Sequence, residues 1–166
     1  MTKHEFYECV MDAYRSAEAL IRMVPADKLE WRPKPNFMSL SQLIYHLGEG
    51  IGNPLRCLVT GEWPFTSPEQ ITAMKLENLP SCRVEEALKK LEEDKAILRE
   101  CLSGLSEEDF AQRVVSAPWG VQGKMERMAI DFREHFTNHK MQLFTYLKLL
   151  GLPVNTNTLY FGQSAG

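Results

Sequence analysis

With 166 residues the chain can bury one proper core without disulfide or metal staples, so a single domain over 1–166 is expected. Hydrophobic residues make up 44% and charged residues 25%, and the net charge is −3 with both signs interspersed, which argues against a nucleic-acid-binding role. No stretch reaches the ~20 apolar residues of a membrane span, the opening Met1–Glu8 lacks the apolar run of a secretion leader, and Cys9, Cys57, Cys82 and Cys101 are scattered without a CxxC pair. Buried reduced thiols in the cytoplasm fit that cysteine usage.

Thr2-x-x-Glu5 has the form of a capping box and opens a helix that ends at Pro25. Its apolar stripe is Phe6, Val10, Ala13, Tyr14, Ala17, Leu20, Ile21 and Val24. Pro25, Pro33 and Pro35 make the following stretch a connection with at most one helical turn. Ser39-x-x-Gln42 is a second capping box and starts the helix carrying His46. Gly48, Gly50 and Gly52 then alternate, at a cost of roughly 1 kcal/mol each inside a helix. Either the helix weakens or kinks there, or side chains are omitted to leave room for a ligand beside His46.

The segment from Gly61 to Pro80 is rich in turn residues and links the two halves. A third helix runs from about Arg83 to Leu102, with Val84, Ala87, Leu88, Leu91, Leu98, Cys101 and Leu105 on its apolar side and lysines and glutamates on the other. Ser106-Glu-Glu-Asp-Phe reads as a short capped turn, and Arg113 to Gln122 as a small hairpin. The last helix spans about Lys124 to Leu150 and stops at Gly151 and Pro153. The tail, 154–166, either packs Leu159, Tyr160 and Phe161 or frays. Long amphipathic helices joined by irregular connections give an all-α class, an antiparallel four-helix bundle.

The case for function rests on whether three of the 4 histidines meet. His135 and His139 are one helical turn apart and project from one face. His46 is flanked by Leu43 and Leu47 on another helix. Three imidazoles on core-edge positions would be costly to bury without partners, roughly 1–3 kcal/mol each, and a shared metal ion removes that cost. Three neutral nitrogen ligands leave open positions on a divalent ion, which can then activate a water or thiol or polarise a carbonyl. Residue 136 is Phe, so the glutamate of an H-E-x-x-H zinc protease is missing.

Around the triad the residues have double readings. Glu49, three residues past His46, is the candidate general base, and otherwise a fourth ligand or a solvated charge. Asp131 either orients His135 or lies on the surface; Gln142 poses the same choice for His139, with surface contact favoured. Trp31, Trp63 and Trp119 either wall a pocket or, as the commoner fate, seal the core under their loops. Arg56 is expected to be exposed, and Cys57 to be apolar and unactivated.

The order N-terminal helix, Ala26-Asp-Lys-Leu-Glu-Trp-Arg-Pro33, Ser39-Leu-Ser-Gln-Leu-Ile-Tyr-His46, then His135-Phe-Thr-Asn-His139-Lys-Met-Gln-Leu and Tyr146-Leu-Lys-Leu-Leu-Gly151-Leu-Pro, resembles the DinB (damage-inducible B) family, also called the YfiT-like metalloenzymes. The resemblance implies a bundle of up-down-down-up order with a long crossover between the second and third helices. It implies a divalent metal, nickel or zinc first, held by His46, His135 and His139, and a homodimer. It also implies metal-dependent chemistry on a small electrophilic substrate, either transfer of a low-molecular-weight thiol as co-substrate or hydrolysis. The alternative is a non-catalytic, stress-related dimeric module with a structural metal, its partner surface built on the off-stripe pair Met141 and Phe144.

Overall fold

Residues 1–163 are described by a computed structural model, apart from the side chain of residue 72; the last part of the expected tail, 164–166, lies outside the described residues. The protein is mostly helical, with eight α-helices and one two-stranded hairpin among those residues.

Helix α1 (Lys3–Arg22) opens on the expected reciprocal cap. The Thr2 amide donates to Glu5 Oε2 at 2.7 Å and the Glu5 amide to Thr2 Oγ1 at 3.1 Å, so two amides that have no partner within the helix find one. Every residue of its predicted apolar stripe is buried. Pro25 prevents continuation, and a single 3-10 turn, Ala26–Lys28, leads into the connection. Helix α2 (Leu40–Gly48) opens on the second cap, with the Ser39 amide donating to Gln42 Oε1 at 2.9 Å and the Gln42 amide to Ser39 Oγ at 3.3 Å.

The glycine run is where the sequence reading divided, and the structure gives it a third meaning. The helix does break, resuming as α3 (Gly52–Thr60). The missing side chains, however, make room for helix α5 (Val84–Ser103) rather than for a ligand. A Cβ on Gly48 would lie 3.1 Å from the Ala87 carbonyl oxygen, and one on Gly52 would lie 2.5 Å from that of Asp94. At Gly50, whose φ is +64°, a Cβ would come within 2.1 Å of the Asp94 carboxylate.

Asp94 is fully buried, which is rare for a carboxylate, and its contacts explain why. It accepts from the backbone amides of Ile51 (3.0 Å), Gly52 (2.8 Å) and Asn53 (2.7 Å) and from the Tyr14 hydroxyl of α1 (2.5 Å). Helix α3 has no side-chain cap of its own, so a residue from α5 caps it through space. That one carboxylate ties α1, α5 and the α2–α3 corner together.

Beyond α3 the crossover holds more structure than its turn-rich composition suggests, a short helix α4 (Pro68–Thr72) and a 3-10 turn at Leu76–Asn78. The Gln42 amide nitrogen fastens it to α2 by donating to the carbonyls of Leu76 (2.8 Å) and Leu79 (3.3 Å). Helix α6 (Glu107–Gln112) is capped by Ser106, as expected. Strands β1 (Val114–Ser116) and β2 (Gln122–Lys124) form the expected hairpin, antiparallel with Val115 opposite Gly123. Helix α7 (Met125–Leu149) ends at Gly151, whose φ is +78°. The tail packs as helix α8 (Thr156–Phe161), with Leu159 buried and Tyr160 and Phe161 exposed. It is held by the Lys140 ammonium, which donates to the Leu159 carbonyl at 3.0 Å and to Ser16 Oγ at 2.8 Å.

Helices α1, α2, α3, α5 and α7 share one hydrophobic core: α5 packs on α1, α2 and α3, and α7 on α1, α2 and α3. Among the described residues no helix is long and apolar enough to cross a membrane.

Candidate metal centre

Two helices that are distant in sequence bring the three histidines together. The packing of α2 on α7 faces His46 toward His135 and His139, and one ligand atom from each ring lies within 4.8 Å of those of the other two. The Nε2 atoms of His46 and His135 are 2.9 Å apart. Two imidazole lone pairs facing at that distance repel unless a proton or a cation is shared between them. Two nitrogens on one ion, at bonds of about 2.0–2.1 Å, can be at most about 4.2 Å apart. The 2.9 Å pair meets that limit as it stands, and the 4.8 Å bound on the whole set leaves the remainder to small ring rotations. The donor set is all imidazole, which suits zinc, nickel, copper or iron and does not choose among them.

Protonation favours ligation. Burial, reinforced by the neighbouring His139 and His135, pushes His46 down to about 4. Burial likewise lowers His135 and His139. All three rings are therefore neutral at pH 7 and present lone pairs.

The tautomer of His139 is set by a chain of hydrogen bonds that begins at a backbone carbonyl. The Met38 carbonyl oxygen accepts from the Tyr146 hydroxyl at 3.2 Å, and that hydroxyl accepts from the Gln142 amide nitrogen at 2.9 Å. The Gln142 side chain is thereby oriented with its oxygen toward His139, and Nδ1 of the ring lies 3.0 Å from it. Nδ1 must carry the proton to donate there, so Nε2 is left with its lone pair for a metal. Gln142 is thus a positioning residue, not the surface contact favoured from sequence. Trp31 packs edge-on against the Tyr146 ring, with centroids 5.5 Å apart, and steadies the far end of the chain.

Beside the triad lies a cavity of about 1220 Å³. The crossover supplies Trp63, Phe65, Ile71 and Met74 to its lining, the hairpin tip supplies Trp119, and α7 supplies Phe132. Trp63 and Trp119 meet edge to face at 5.1 Å, and both pack near Phe132 at 6.4 and 6.3 Å. Two of the three tryptophans therefore wall a pocket as well as covering core. His135 is the most exposed of the three ligands.

Both carboxylates near the triad have cationic partners, and Asp131 follows the surface reading. Glu49 lines the same cavity, but its Oε1 accepts an ion pair from Lys90 Nζ of α5 at 2.6 Å. Asp131 pairs with Arg127 one turn earlier, and no hydrogen bond joins it to His135. Arg56 donates to Asn53 Oδ1 at 2.9 Å at the exposed face of α3. The Cys57 thiol is pushed up by burial and is unactivated, as expected. Of the off-stripe pair, Met141 is 43% exposed but Phe144 only 9%, so the two do not form a shared apolar patch.

The family profile of the DinB superfamily matches residues 12–142, from the middle of α1 through Gln142. The chain belongs to the DinB superfamily. The expected resemblance is thereby established. A crystal structure of a candidate DinB-family member from Exiguobacterium sibiricum 255-15 is similar, with a TM-score of 0.68 at 17% identity, covering 94% of this chain and 96% of that one. At that identity the likeness concerns the fold. No curated protein matches the chain. The matched span of this DinB protein contains all three histidines and the glutamine that orients one of them, but ends before Tyr146 and α8.

Asp94 and Gln142 are the residues that sequence reasoning missed or undervalued. Asp94 sits at stripe spacing between Leu91 and Leu98, an acid on an apolar face, and that misfit was the available signal. Gln142 lies one turn from a candidate ligand, where a second partner is often found.

Proposed function

We propose that His46, His135 and His139 hold one divalent ion, nickel or zinc first, and that this DinB protein is a metal-dependent enzyme acting on a small electrophilic substrate. The observation that carries the reading is the convergence of three neutral imidazoles at an apolar cavity large enough for a small molecule. When bound, such an ion lowers the pKa of a water or thiol toward neutrality and polarises a carbonyl. The chain's own residues do the rest. Gln142 holds His139 in the ligating tautomer, the crossover and hairpin aromatics exclude water, and Glu49 is assigned to proton transfer. Lys90 holds Oε1, so the proton is assigned to Oε2 with the ion pair intact. Glu49→Gln is then expected to lower kcat while leaving metal content unchanged.

Thiol transfer is the first reaction reading and hydrolysis the second. We also assign the chain to one domain, an up-down-down-up bundle of α1, α2–α3, α5 and α7, acting in the cytoplasm as a homodimer. The exposure of His135 toward the cavity favours catalysis over the alternative of a structural metal in a non-catalytic module. Metal-loaded protein mixed with a chromogenic electrophile and a panel of thiols separates the readings. Turnover that requires thiol supports transfer, turnover without it supports hydrolysis, and none with metal bound favours the structural alternative.

A further inference from the structure

The walls of the cavity say what kind of molecule fits beside the histidines. Its apolar lining is contributed by five separate elements: α2, α3, the crossover, the hairpin tip and α7. Among the described residues no lysine or arginine lines it. The two carboxylates that do are already paired, Glu49 with Lys90 and Asp131 with Arg127. The Lys90 and Arg127 charges are therefore engaged and do not offer a site for an anion.

Two of the three amide side chains at the wall, Gln42 and Asn53, are committed through both oxygen and nitrogen, and Gln70 through its oxygen, which accepts the Thr66 amide at 2.7 Å. Gln42 accepts the Ser39 amide through its oxygen and donates to the Leu76 and Leu79 carbonyls through its nitrogen. Asn53 donates to the Glu49 carbonyl and to Asp94, and accepts from Arg56. An anionic group placed away from the histidines would lose its water and meet no cation among the described lining residues, which is unfavourable. Flat apolar surface, by contrast, meets the faces and edges of Trp63, Phe65, Trp119 and Phe132, which lie within 6.4 Å of one another in the pairs that touch.

We propose that the cavity takes a neutral molecule with an apolar, aromatic-sized body, its one polar reacting group directed at His46, His135 and His139, and that it rejects molecules bearing anionic groups remote from that end. The inference rests on the cavity being the substrate site and adds the substrate class. It also assigns the enclosed molecule to the electrophile.

The test uses two fluorophores that differ by one charged group, N-phenyl-1-naphthylamine, which is neutral, and 8-anilinonaphthalene-1-sulfonate. Binding is titrated on the zinc-loaded full chain and on the His139→Ala variant. The neutral probe is expected to bind both proteins at least about ten-fold more tightly than the sulfonate. Trp119→Ala, checked for folding by circular dichroism, is expected to weaken the neutral probe. Met74 is 53% exposed, so Met74→Lys is a mild change that places a cation at the wall; it is expected to improve sulfonate binding and close most of the gap. Equal or tighter sulfonate binding in either protein overturns the proposal, as does neutral-probe binding that is absent or indifferent to Trp119→Ala. Failure of zinc to bind the unmodified chain would instead sink the metal reading, and the probe preference would still be readable in the variant.

Discussion

Gln142→Leu is the substitution that most sharply separates a built metal site from three adjacent histidines. Leucine has a similar volume at this half-buried position but cannot accept the Nδ1 proton of His139. The ring is then free to change tautomer or turn, and the ion loses one oriented ligand. Loss of such an orienting partner typically lowers metal affinity 10–100-fold, about 1.4–2.8 kcal/mol. Competition against a chromophoric zinc chelator at neutral pH measures this directly. Tyr146→Phe leaves the His139–Gln142 contact in place but removes the acceptor that orients the amide, so a smaller loss is expected. Global stability by urea titration should change little for Gln142→Leu, which distinguishes a positioning role from a folding defect. Zinc affinity within about two-fold of the unmodified chain would refute the tautomer argument.

Asp94→Ala leaves the Gly52 and Asn53 backbone amides and the Tyr14 hydroxyl without their acceptor, while the Ile51 amide keeps the Tyr14 oxygen at 2.6 Å. At about 1–3 kcal/mol per stranded donor, and allowing for water entry, a loss of about 3–5 kcal/mol is expected in urea denaturation; a loss below about 1 kcal/mol would contradict the capping role. Gly50→Ala sets a side chain in a left-handed backbone conformation and against the same carboxylate, so thermal denaturation should show a loss of about 2 kcal/mol or more. In metal-free protein the lowered histidines make stability depend on pH. Between 6.5 and about 4 the unfolded chain takes up protons that folded His46 refuses. Stability therefore holds above 6.5 and falls as pH drops through that window, by on the order of 2–3 kcal/mol for His46. His46→Gln is expected to flatten the profile, and an unchanged slope would count against the shift.

Local rules carried the helices. The caps at Thr2, Ser39 and Ser106 and the stops at Pro25 and Gly151 depend on neighbours within a few residues, so their places could be read from the chain. The spacing of His135 and His139 belongs to the same class, and only their meeting with His46 needed tertiary packing. What sequence left ambiguous depends on elements far apart in the chain. Gly48, Gly50 and Gly52 acquire their meaning from α5, a distant helix that meets Gly48 at Ala87 and Gly50 and Gly52 at Asp94. Glu49 meets Lys90 by the same packing, which no local pattern announces. The crossover's turns and prolines describe a path and not a destination, yet it supplies Trp63 and Phe65 to the cavity wall. Gln142 was underrated for a different reason. Its orientation follows from Tyr146 and the Met38 carbonyl, the latter in another part of the chain.

Metal stoichiometry compared across single substitutions tests the central claim most directly. The unmodified chain, stripped and then titrated with zinc, is expected to bind one equivalent, and His46→Ala, His135→Ala and His139→Ala should each lose most of that affinity while remaining folded by circular dichroism. Equal zinc content in His46→Ala and the unmodified protein would contradict a centre shared between α2 and α7.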